Sequence, residues 1–289
     1  MSRLLVSLAV VFSLSSVAAR DLASLPTLPD SLKFAVIGDS GTGSSGQYAL
    51  ARIFTEAHQD FPFEFVIMLG DNLYGRERPE DFVRKFERPY RPLLDAGVVF
   101  YAALGNHDEP DVQVAYPQFN MDGRRYYTFT RGSVQFFVVD STDMRTDQLN
   151  WLEQALAEST ASWKIAYMHH PIYSSGKRHG SDLRLRSFIE PLFIKHGVDV
   201  VFAGHEHFYE RLHPQQGIHY FTVGSAGKLR RGNIRPGPLH AGGFDTDLSF
   251  MLVEIAGDRL HFEVISRTRQ SVDRGELVRT PDAAVPTSH

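Results

Sequence analysis

The sequence predicts an α/β protein of the four-layer α/β/β/α sandwich class, with two mixed sheets packed face to face. Apolar runs of strand length recur along the chain, and five of them end at a Gly-Asp, Gly-Asn, His or Gly-His sequence. In the first third these runs alternate with helical patterns, which is typical of parallel strands joined by helices. Later runs follow one another more directly, which predicts antiparallel pairing.

The first third of the chain alternates between strand and helix. Each predicted strand is a short apolar run, and each predicted helix repeats its apolar residues every three or four positions. A glycine-rich loop, SGTGSSG, separates the first strand from the first helix. In chain order the elements are strand 33–37, helix 47–58, strand 63–69, helix 80–86 and strand 98–104.

The remainder of the chain adds a hairpin, two helices and the second group of strands. Runs 126–130 and 134–139 flank Arg131-Gly132, a two-residue hairpin signal. Ser181 is the predicted N-cap of a helix that covers 182–196 and stops at Gly197. We expect the segment from Leu248 onward to complete the second sheet. Thr146 or Asp147 is the predicted N-cap of a helix that runs to about Glu158. The other predicted elements are the strands WKIAYM and VDVVFA, and strands 218–223, 250–255 and 260–265.

Length and charge favour one large domain and limit its partners. The chain has 289 residues, enough for one α/β core, and no linker composition divides it. Its net charge of −4 is spread without acidic or basic blocks, which argues against nucleic acid as a partner. The oligomeric state is left open.

The N-terminal residues predict export. Arg3 precedes an apolar run from Leu4 to about Val17, and the ending Val17-Ala18-Ala19 fits signal peptidase. Serines interrupt the run, and it is shorter than the roughly 20 apolar residues of a membrane span. We therefore expect a signal peptide at 1–19, one folded domain at 20–279, a mobile tail at 280–289, and no membrane attachment after cleavage. Since cysteines and Asn-x-Ser/Thr sequons are absent, a secreted or periplasmic bacterial protein is favoured.

The strand ends collect metal-ligating side chains. A single Gly-Asp is typical of a helix N-cap or a turn, but five such motifs in series have no structural role that we can name. Together they offer hard oxygen and borderline nitrogen donors in about the number that two metal ions need. The candidate ligands are Asp39, Asp71, Tyr74, Asn106, His169, His205 and His207.

The order of these motifs resembles a known family. Asp-x-Gly, Gly-Asp-x-x-Tyr, Gly-Asn-His-Asp, His-x-Pro after a strand and Gly-His-x-His are similar to the calcineurin-like metallophosphoesterases. Within them, GHEHFYER resembles the short purple acid phosphatases of the tartrate-resistant type. The wider superfamily usually opens with Asp-x-His, whereas this chain has Asp39-Ser40-Gly41. The resemblance implies that Tyr74 replaces the missing histidine ligand.

The resemblance also implies a binuclear centre and a division of ligands. Fe(III), favoured by a hard phenolate donor, would be the first ion and Fe, Zn or Mn the second, divalent one. Two carboxylates and a phenolate carry three negative charges against five positive ones, so the centre would suit a phosphate dianion. Asp71 would bridge the ions; Asp39, Tyr74 and His207 would hold the ferric ion, and Asn106, His169 and His205 the divalent ion.

Three further histidines need separate interpretation. The family pattern selects His169, two residues before a proline, as the ligand; because neighbours on a strand point to opposite faces, we expect His170 to face away. His107 is a predicted catalytic residue whose ring Asp108 would orient. His179 is a second catalytic candidate, since short purple acid phosphatases carry a substrate-facing histidine in the corresponding loop.

The function implied is that of a secreted binuclear-metal acid phosphatase. It would hydrolyse a small phosphomonoester or a phosphoprotein through attack by a metal-bound hydroxide, with His107 or His179 assisting the leaving alcohol. One alternative is a divalent-metal phosphodiesterase or nucleotide pyrophosphatase on the same fold. The other is a phosphate-binding module without turnover.

Overall fold

The computed structural model describes residues 22–279, so the predicted signal peptide and the predicted tail lie outside the described residues. Within this range the helices are α1 Ser45–Asp60, α2 Pro79–Phe82, α3 Arg88–Asp95, α4 Pro110–Gln113, α5 Thr146–Glu158 and α6 Leu183–Lys195. A wide helical turn, Val83–Glu87, lies between α2 and α3, and Pro117–Phe119 forms a 3-10 turn. None of the helices in residues 22–279 is long and apolar enough to cross a membrane.

The same residues form thirteen strands in two sheets. They are β1 Leu32–Ile37, β2 Phe65–Met68, β3 Val99–Ala102, β4 Tyr127–Arg131, β5 Val134–Val138, β6 Trp163–Met168, β7 Val200–Ala203, β8 Tyr209–Leu212, β9 His219–Val223, β10 His240–Phe244, β11 Ser249–Ala256, β12 Arg259–Ser266 and β13 Ser271–Val278. One sheet has the order β13-β12-β11-β1-β2-β3 and the other β10-β8-β9-β7-β6-β5-β4.

Both sheets are mixed, as predicted. Strands β1, β2 and β3 run parallel, as do β5, β6, β7 and β9. Their other neighbours pair antiparallel. The carboxyl ends of the parallel strands lie where loops build sites in such sheets.

An aromatic layer fills the space between the sheets. Phe34 of β1 stacks on Phe65 of β2 with ring centres 5.2 Å apart. Both meet the edge of Phe136, which lies on β5 of the other sheet, at 5.4 and 5.5 Å. These rings are fully buried, and edge-to-face packing adds to the free energy gained by burying them.

Helices cover the outer faces, which completes the four layers. Because successive strand residues point to opposite faces, Phe136 lies between the sheets while its neighbour Phe137 packs in the outer cluster with Leu152 of α5 and Ile189 of α6. On the other side α1 buries Phe54 in the core of the first sheet. The predicted fold class is thereby confirmed.

One prediction about the sheets is wrong. The segment from Leu248 onward joins the first sheet, because β11 pairs antiparallel with β1, placing Val253 opposite Phe34. Every residue of β11 from Ser249 to Ile255 is buried, and such a run fits the centre of either sheet, so local sequence does not choose between them. Strands β8, β10 and β13 were not predicted, since their polar residues and glycines hide a strand pattern.

Local boundaries also differ from the prediction. The N-cap of α5 is Arg145 and not Thr146 or Asp147. Arg131 closes β4, so the hairpin turn is Gly132-Ser133 instead of Arg131-Gly132, and Gly132 supplies the positive φ of 55° that the turn requires. The N-cap of α6 is Asp182, whose carboxylate accepts a hydrogen bond from the third helical residue. The Ser181 hydroxyl bonds within the preceding loop instead.

Candidate metal centre

The loops that leave β1, β2 and β7 begin with strained backbone. Asp39, Asp71 and His205 have φ values of 55°, 50° and 68°, in the left-handed region that L-residues rarely adopt. Such conformations cost free energy and persist where the surrounding structure enforces them, most often at functional sites. All three residues are predicted metal ligands, and the strain turns their side chains into one cleft between the two sheets.

Glycines let these loops touch. A β-carbon at Gly105 would lie 2.1 Å from the backbone nitrogen of Asp71, and one at Gly70 would lie 2.8 Å from His169 Nδ1. Gly70 also has a φ of 84°. The Gly-Asp and Gly-Asn motifs therefore bring the loops after β2, β3 and β6 into direct contact, which a larger residue would prevent.

The first donor group is rich in oxygen. The Tyr74 hydroxyl lies 3.0 Å from Asp39 Oδ1 and 3.3 Å from His207 Nε2, and the same two partner atoms are 3.3 Å apart. Asp39 is fully buried and its second oxygen accepts a hydrogen bond from the His205 backbone at 2.8 Å. Three ligand atoms from three loops thus converge on one point.

The second donor group is rich in nitrogen. Asn106 Oδ1 lies 3.0 Å from both His169 Nε2 and His205 Nδ1, and these two nitrogens are 3.2 Å apart. His169 donates through Nδ1 to the Leu69 carbonyl at 2.8 Å. That hydrogen bond fixes the tautomer and leaves the Nε2 lone pair facing the donor group, as in metal-binding histidines.

Asp71 connects the two groups. Its Oδ1 lies 3.3 Å from His169 Nε2 in the nitrogen-rich group. Its carboxylate also falls within 4.8 Å of the ligand atoms of Asp39 and His207 in the oxygen-rich group. The side chain is 1% exposed. The structure therefore brings all seven predicted ligands together, with Asp71 between two sets of three.

The oxygen ligands repel one another when no cation is present. Burial, followed by the nearby Asp71 carboxylate, raises the pKa of Asp39 well above its usual value. Burial, followed by the Asp39 and Asp71 carboxylates, raises the pKa of Tyr74 in the same way. Holding these groups as anions in one buried place needs a cation of high charge against them.

The nitrogen ligands are neutral and available. Burial, followed by His169, lowers the pKa of His205 to about 2. Burial, followed by Arg230, lowers the pKa of His207 to about 4, and burial lowers the pKa of His169 well below its usual value. Neutral imidazoles bind metals and protonated ones do not. The donor set fits a binuclear metal centre, with a harder cation at the oxygen-rich group.

His107 and His179 lie at the two ends of this centre. The His107 ring is 4.9 Å from the Tyr74 ring, and its backbone donates to Asp71 Oδ1 at 3.0 Å. The His179 ring is 4.3 Å from the His205 ring. Both residues are exposed, beside the two donor groups.

The expected support of His107 by Asp108 is wrong. Asp108 accepts hydrogen bonds from the backbone nitrogens of Gly105 and Leu73 at 2.7 and 3.1 Å and from Gln113 Nε2 at 2.7 Å. It is buried beneath the loop, so its carboxylate shapes the Gly-Asn-His-Asp turn. None of the hydrogen bonds of the described residues joins it to the His107 ring.

His170 also differs from the expectation, because it does not face away. Strand β6 ends at Met168, so the alternation of strand neighbours no longer applies at His169 and His170. The His170 ring lies 4.5 Å from the His205 ring, and its Nδ1 is 2.9 Å from the Ser141 hydroxyl. His169, which contacts the bridging carboxylate, remains the better ligand, and His170 borders the same cleft.

One residue of the site escaped the sequence interpretation. Glu206 stands between the two histidines of Gly-His-Glu-His and is fully buried. It accepts hydrogen bonds from the backbone of His179 and Gly180 at 3.2 and 2.8 Å and from Asn233 Nδ2 at 2.8 Å. It therefore ties the His179 loop to the centre. The charged residue inside a ligand motif is a sequence signal for such a role, but the hydrogen-bond partners of Glu206 lie far from it in the sequence.

Comparisons with known proteins agree with this geometry. The Calcineurin-like phosphoesterase family matches residues 32–209. Purple acid phosphatase 17 of Arabidopsis thaliana is 27% identical, over 71% of this chain and 71% of the relative. Tartrate-resistant acid phosphatase type 5 of Rattus norvegicus is 24% identical, over 90% of this chain and 94% of the relative.

Among solved structures, "GAP50 the anchor in the inner membrane complex of Plasmodium" superposes with a TM-score of 0.76 at 21% identity. The match covers 86% of this chain and 89% of that one. At this identity the likeness shows the fold alone.

Proposed function

The chain belongs to the calcineurin-like phosphoesterase family and is a metal-dependent phosphoester hydrolase, and on that premise we propose a secreted acid phosphatase with one ferric and one divalent ion that cleaves phosphomonoesters. We propose the oxygen-rich group Asp39, Tyr74 and His207 as the ferric site. The divalent site is then the nitrogen-rich group, and Asp71 belongs to both.

The observation that carries the proposal is the place of the Tyr74 oxygen. It lies 3.0 Å from Asp39 Oδ1 and 3.3 Å from His207 Nε2. A centre that holds two divalent ions has no need of a phenol at this position. A phenolate is a hard anionic ligand that favours a ferric ion. Two cations held at the centre supply Lewis-acid charge and lower the pKa of water.

The chain's own residues bind and orient the phosphate. His107 beside Tyr74 and His179 beside His205 reach the cleft from opposite ends. Each imidazole can donate a hydrogen bond to a phosphate oxygen or a proton to the departing alcohol. Glu206 holds the His179 loop at a fixed distance through two backbone hydrogen bonds, so the imidazole needs little reordering when the substrate arrives.

One rival is a phosphodiesterase with two divalent ions, and another is a protein that kept the fold without turnover. What favours catalysis here is the complete donor set, with seven ligand side chains directed into one cleft. A binding module has no need of a ligand shared between two groups.

The test combines metal analysis with two chromogenic substrates. We expect the purified protein to contain iron and a second metal, and to cleave p-nitrophenyl phosphate faster than bis(p-nitrophenyl) phosphate at acid pH. A preference for the diester with two divalent ions would support the first rival. Full metal content without turnover of either substrate would support the second.

Export gives a separate prediction. If residues 1–19 are a signal, the mature protein begins at or near Arg20. Cleavage there keeps the contacts of the following segment, in which Leu22 donates to Asp60 Oδ2 at 2.8 Å and Ser24 donates to Glu263 Oε2 at 2.7 Å. Mass spectrometry of the secreted protein measures the N-terminus. A secreted form that retains Leu4 through Val17 would contradict the proposal.

A further inference from the structure

The imidazole of His170 is held by one serine. The Ser141 hydroxyl oxygen accepts a hydrogen bond from the His170 backbone nitrogen at 2.9 Å, and the same oxygen lies 2.9 Å from the ring nitrogen Nδ1. Ser141 lies in the loop after β5 and His170 in the loop after β6, and these two strands pair side by side. The loops after two neighbouring strands thus fix both the backbone and the ring of this histidine.

This pairing places a proton on the opposite ring nitrogen, Nε2. Among the hydrogen bonds of residues 22–279, the Ser141 hydroxyl has no partner other than Nδ1 that could accept its proton, so the serine donates to Nδ1. A neutral imidazole that accepts at Nδ1 carries its own proton on Nε2. A protonated imidazole carries a proton there in any case, so Nε2 is a donor in both charge states.

His169, the preceding residue, has the opposite tautomer. Its Nδ1 donates to the Leu69 carbonyl at 2.8 Å, which leaves the lone pair of Nε2 facing Asn106 Oδ1 at 3.0 Å and the bridging carboxylate at 3.3 Å. His170 has no lone pair left for a metal ion, because its Nδ1 accepts from the serine and its Nε2 holds a proton. The two adjacent histidines therefore differ in role, one as a ligand and the other as a hydrogen-bond donor.

The Nε2 donor of His170 is open and borders the nitrogen-rich donor group. None of the hydrogen bonds among the described residues uses it, yet it does not belong to the buried polar atoms that lack a partner, so it is accessible to solvent. The His170 ring lies 4.5 Å from the His205 ring and 5.0 Å from the His169 ring. A free N–H at this border is available to an anion held at the two ligand histidines.

We propose that His170 is a substrate-binding residue that donates a hydrogen bond from Nε2 to an oxygen of the phosphate group, and that Ser141 is its positioning residue. The proposal rests on the phosphatase function above and adds two residues to its substrate site. The ligand is a tetrahedral oxyanion, either inorganic phosphate or the phosphate group of a monoester. Because the serine orients the imidazole before the anion arrives, little side-chain ordering is needed on binding.

The first experiment measures the affinity of the metal-loaded protein for inorganic phosphate by calorimetry. We expect His170→Phe, which keeps a ring but has no donor, to retain its metals and to weaken phosphate binding about tenfold, since a hydrogen bond to a charged group is lost. His170→Gln should recover part of the affinity, because its amide nitrogen is a donor. His213→Phe, at an exposed histidine that follows β8, is the matched control and should bind phosphate as wild type does.

The Ser141→Ala variant tests the positioning role. Without the hydroxyl the ring loses its fixed orientation and tautomer, so we expect phosphate affinity to fall about threefold. The same substitution added to His170→Phe should cause no further loss, because the serine acts through the imidazole. An additive loss in the double variant would overturn the role of Ser141. Ser187→Ala is the control, since its hydroxyl donates to the Arg184 carbonyl in α6, and it should leave the affinity as it is.

Nitrogen NMR of histidine-labelled, metal-free protein reads the tautomer independently of activity. We expect the proton of the neutral His170 ring on Nε2 in wild type and shared between both nitrogens in Ser141→Ala. A wild-type proton on Nδ1, loss of metal from His170→Phe, or unchanged phosphate affinity in that variant would each overturn the role of His170 alone. If metal-loaded wild type neither binds phosphate nor cleaves p-nitrophenyl phosphate, the phosphatase proposal fails, and the role of His170 with it.

Discussion

Asp71→Ala is expected to remove both metal ions and to abolish hydrolysis. The carboxylate is the one ligand between the two donor groups, 3.3 Å from His169 Nε2 and in the same cluster as Asp39 and His207. Losing a partner that merely supports a ligand costs about 10- to 100-fold in metal affinity or activity. Loss of a ligand that both ions share should therefore lower both the metal affinity and the activity by more than about 100-fold. The measurements are metal content per protein and kcat/KM.

The informative comparison is His107→Ala. Its ring packs beside Tyr74 outside both donor groups, so we expect full metal content with kcat lowered by about 10²- to 10⁴-fold, the range for a positioned acid or base. Asp147→Ala, at an exposed carboxylate of α5, controls for the loss of a negative charge and should change neither the metal content nor kcat. If Asp71→Ala and His107→Ala both kept full metal and near-native rates, the division into ligands and catalytic residues would be wrong.

The loops of the site could be predicted because their chemistry is local. Each ligand follows its strand within a few residues, as Asp39 follows β1 and Asn106 follows β3, and the ends of parallel strands meet at one edge. The positive φ values of Asp39, Asp71 and His205 are not apparent from the sequence. They turn side chains from separate strands toward a common point.

What could not be predicted depends on contacts between remote residues. Nothing within β11 specifies that it pairs with β1, because a strand that is buried on both faces fits the centre of either sheet. Glu206 acts through Gly180 and Asn233, both more than twenty positions away. Such roles emerge only when the loops are placed in three dimensions.

His170 shows a different limit. The rule that strand neighbours face opposite ways is sound, but it fails at this residue because β6 stops at Met168. Strand ends are the least certain part of a sequence-based assignment. A ligand motif placed at a strand end is therefore where a face rule is weakest, and distances to Asn106 and Asp71, not alternation, identify His169 as the ligand.

Tyr74→Phe is expected to bleach the protein and to weaken iron binding at the oxygen-rich group. A phenolate bound to a ferric ion gives a ligand-to-metal charge-transfer band, seen as a purple or pink colour, and phenylalanine has no oxygen to bind. Since Asp39-Ser40-Gly41 offers no histidine in compensation, this group would keep only Asp39, His207 and the shared Asp71. The measurements are the visible absorption spectrum and the iron content per protein.

Tyr48→Phe is the matched control, because its hydroxyl donates to the Arg84 carbonyl away from the donor groups; it should keep both colour and iron. Burial and the neighbouring carboxylates raise the pKa of Tyr74 well above its usual value, so a weakly charged cation would leave the phenol protonated and the protein without the band. A wild-type enzyme that is active yet colourless, and that holds two divalent ions under oxidising conditions, would contradict the ferric assignment. The family membership and the two donor groups would then stand, and Tyr74 would be a hydrogen-bond donor to Asp39 in a divalent phosphoesterase.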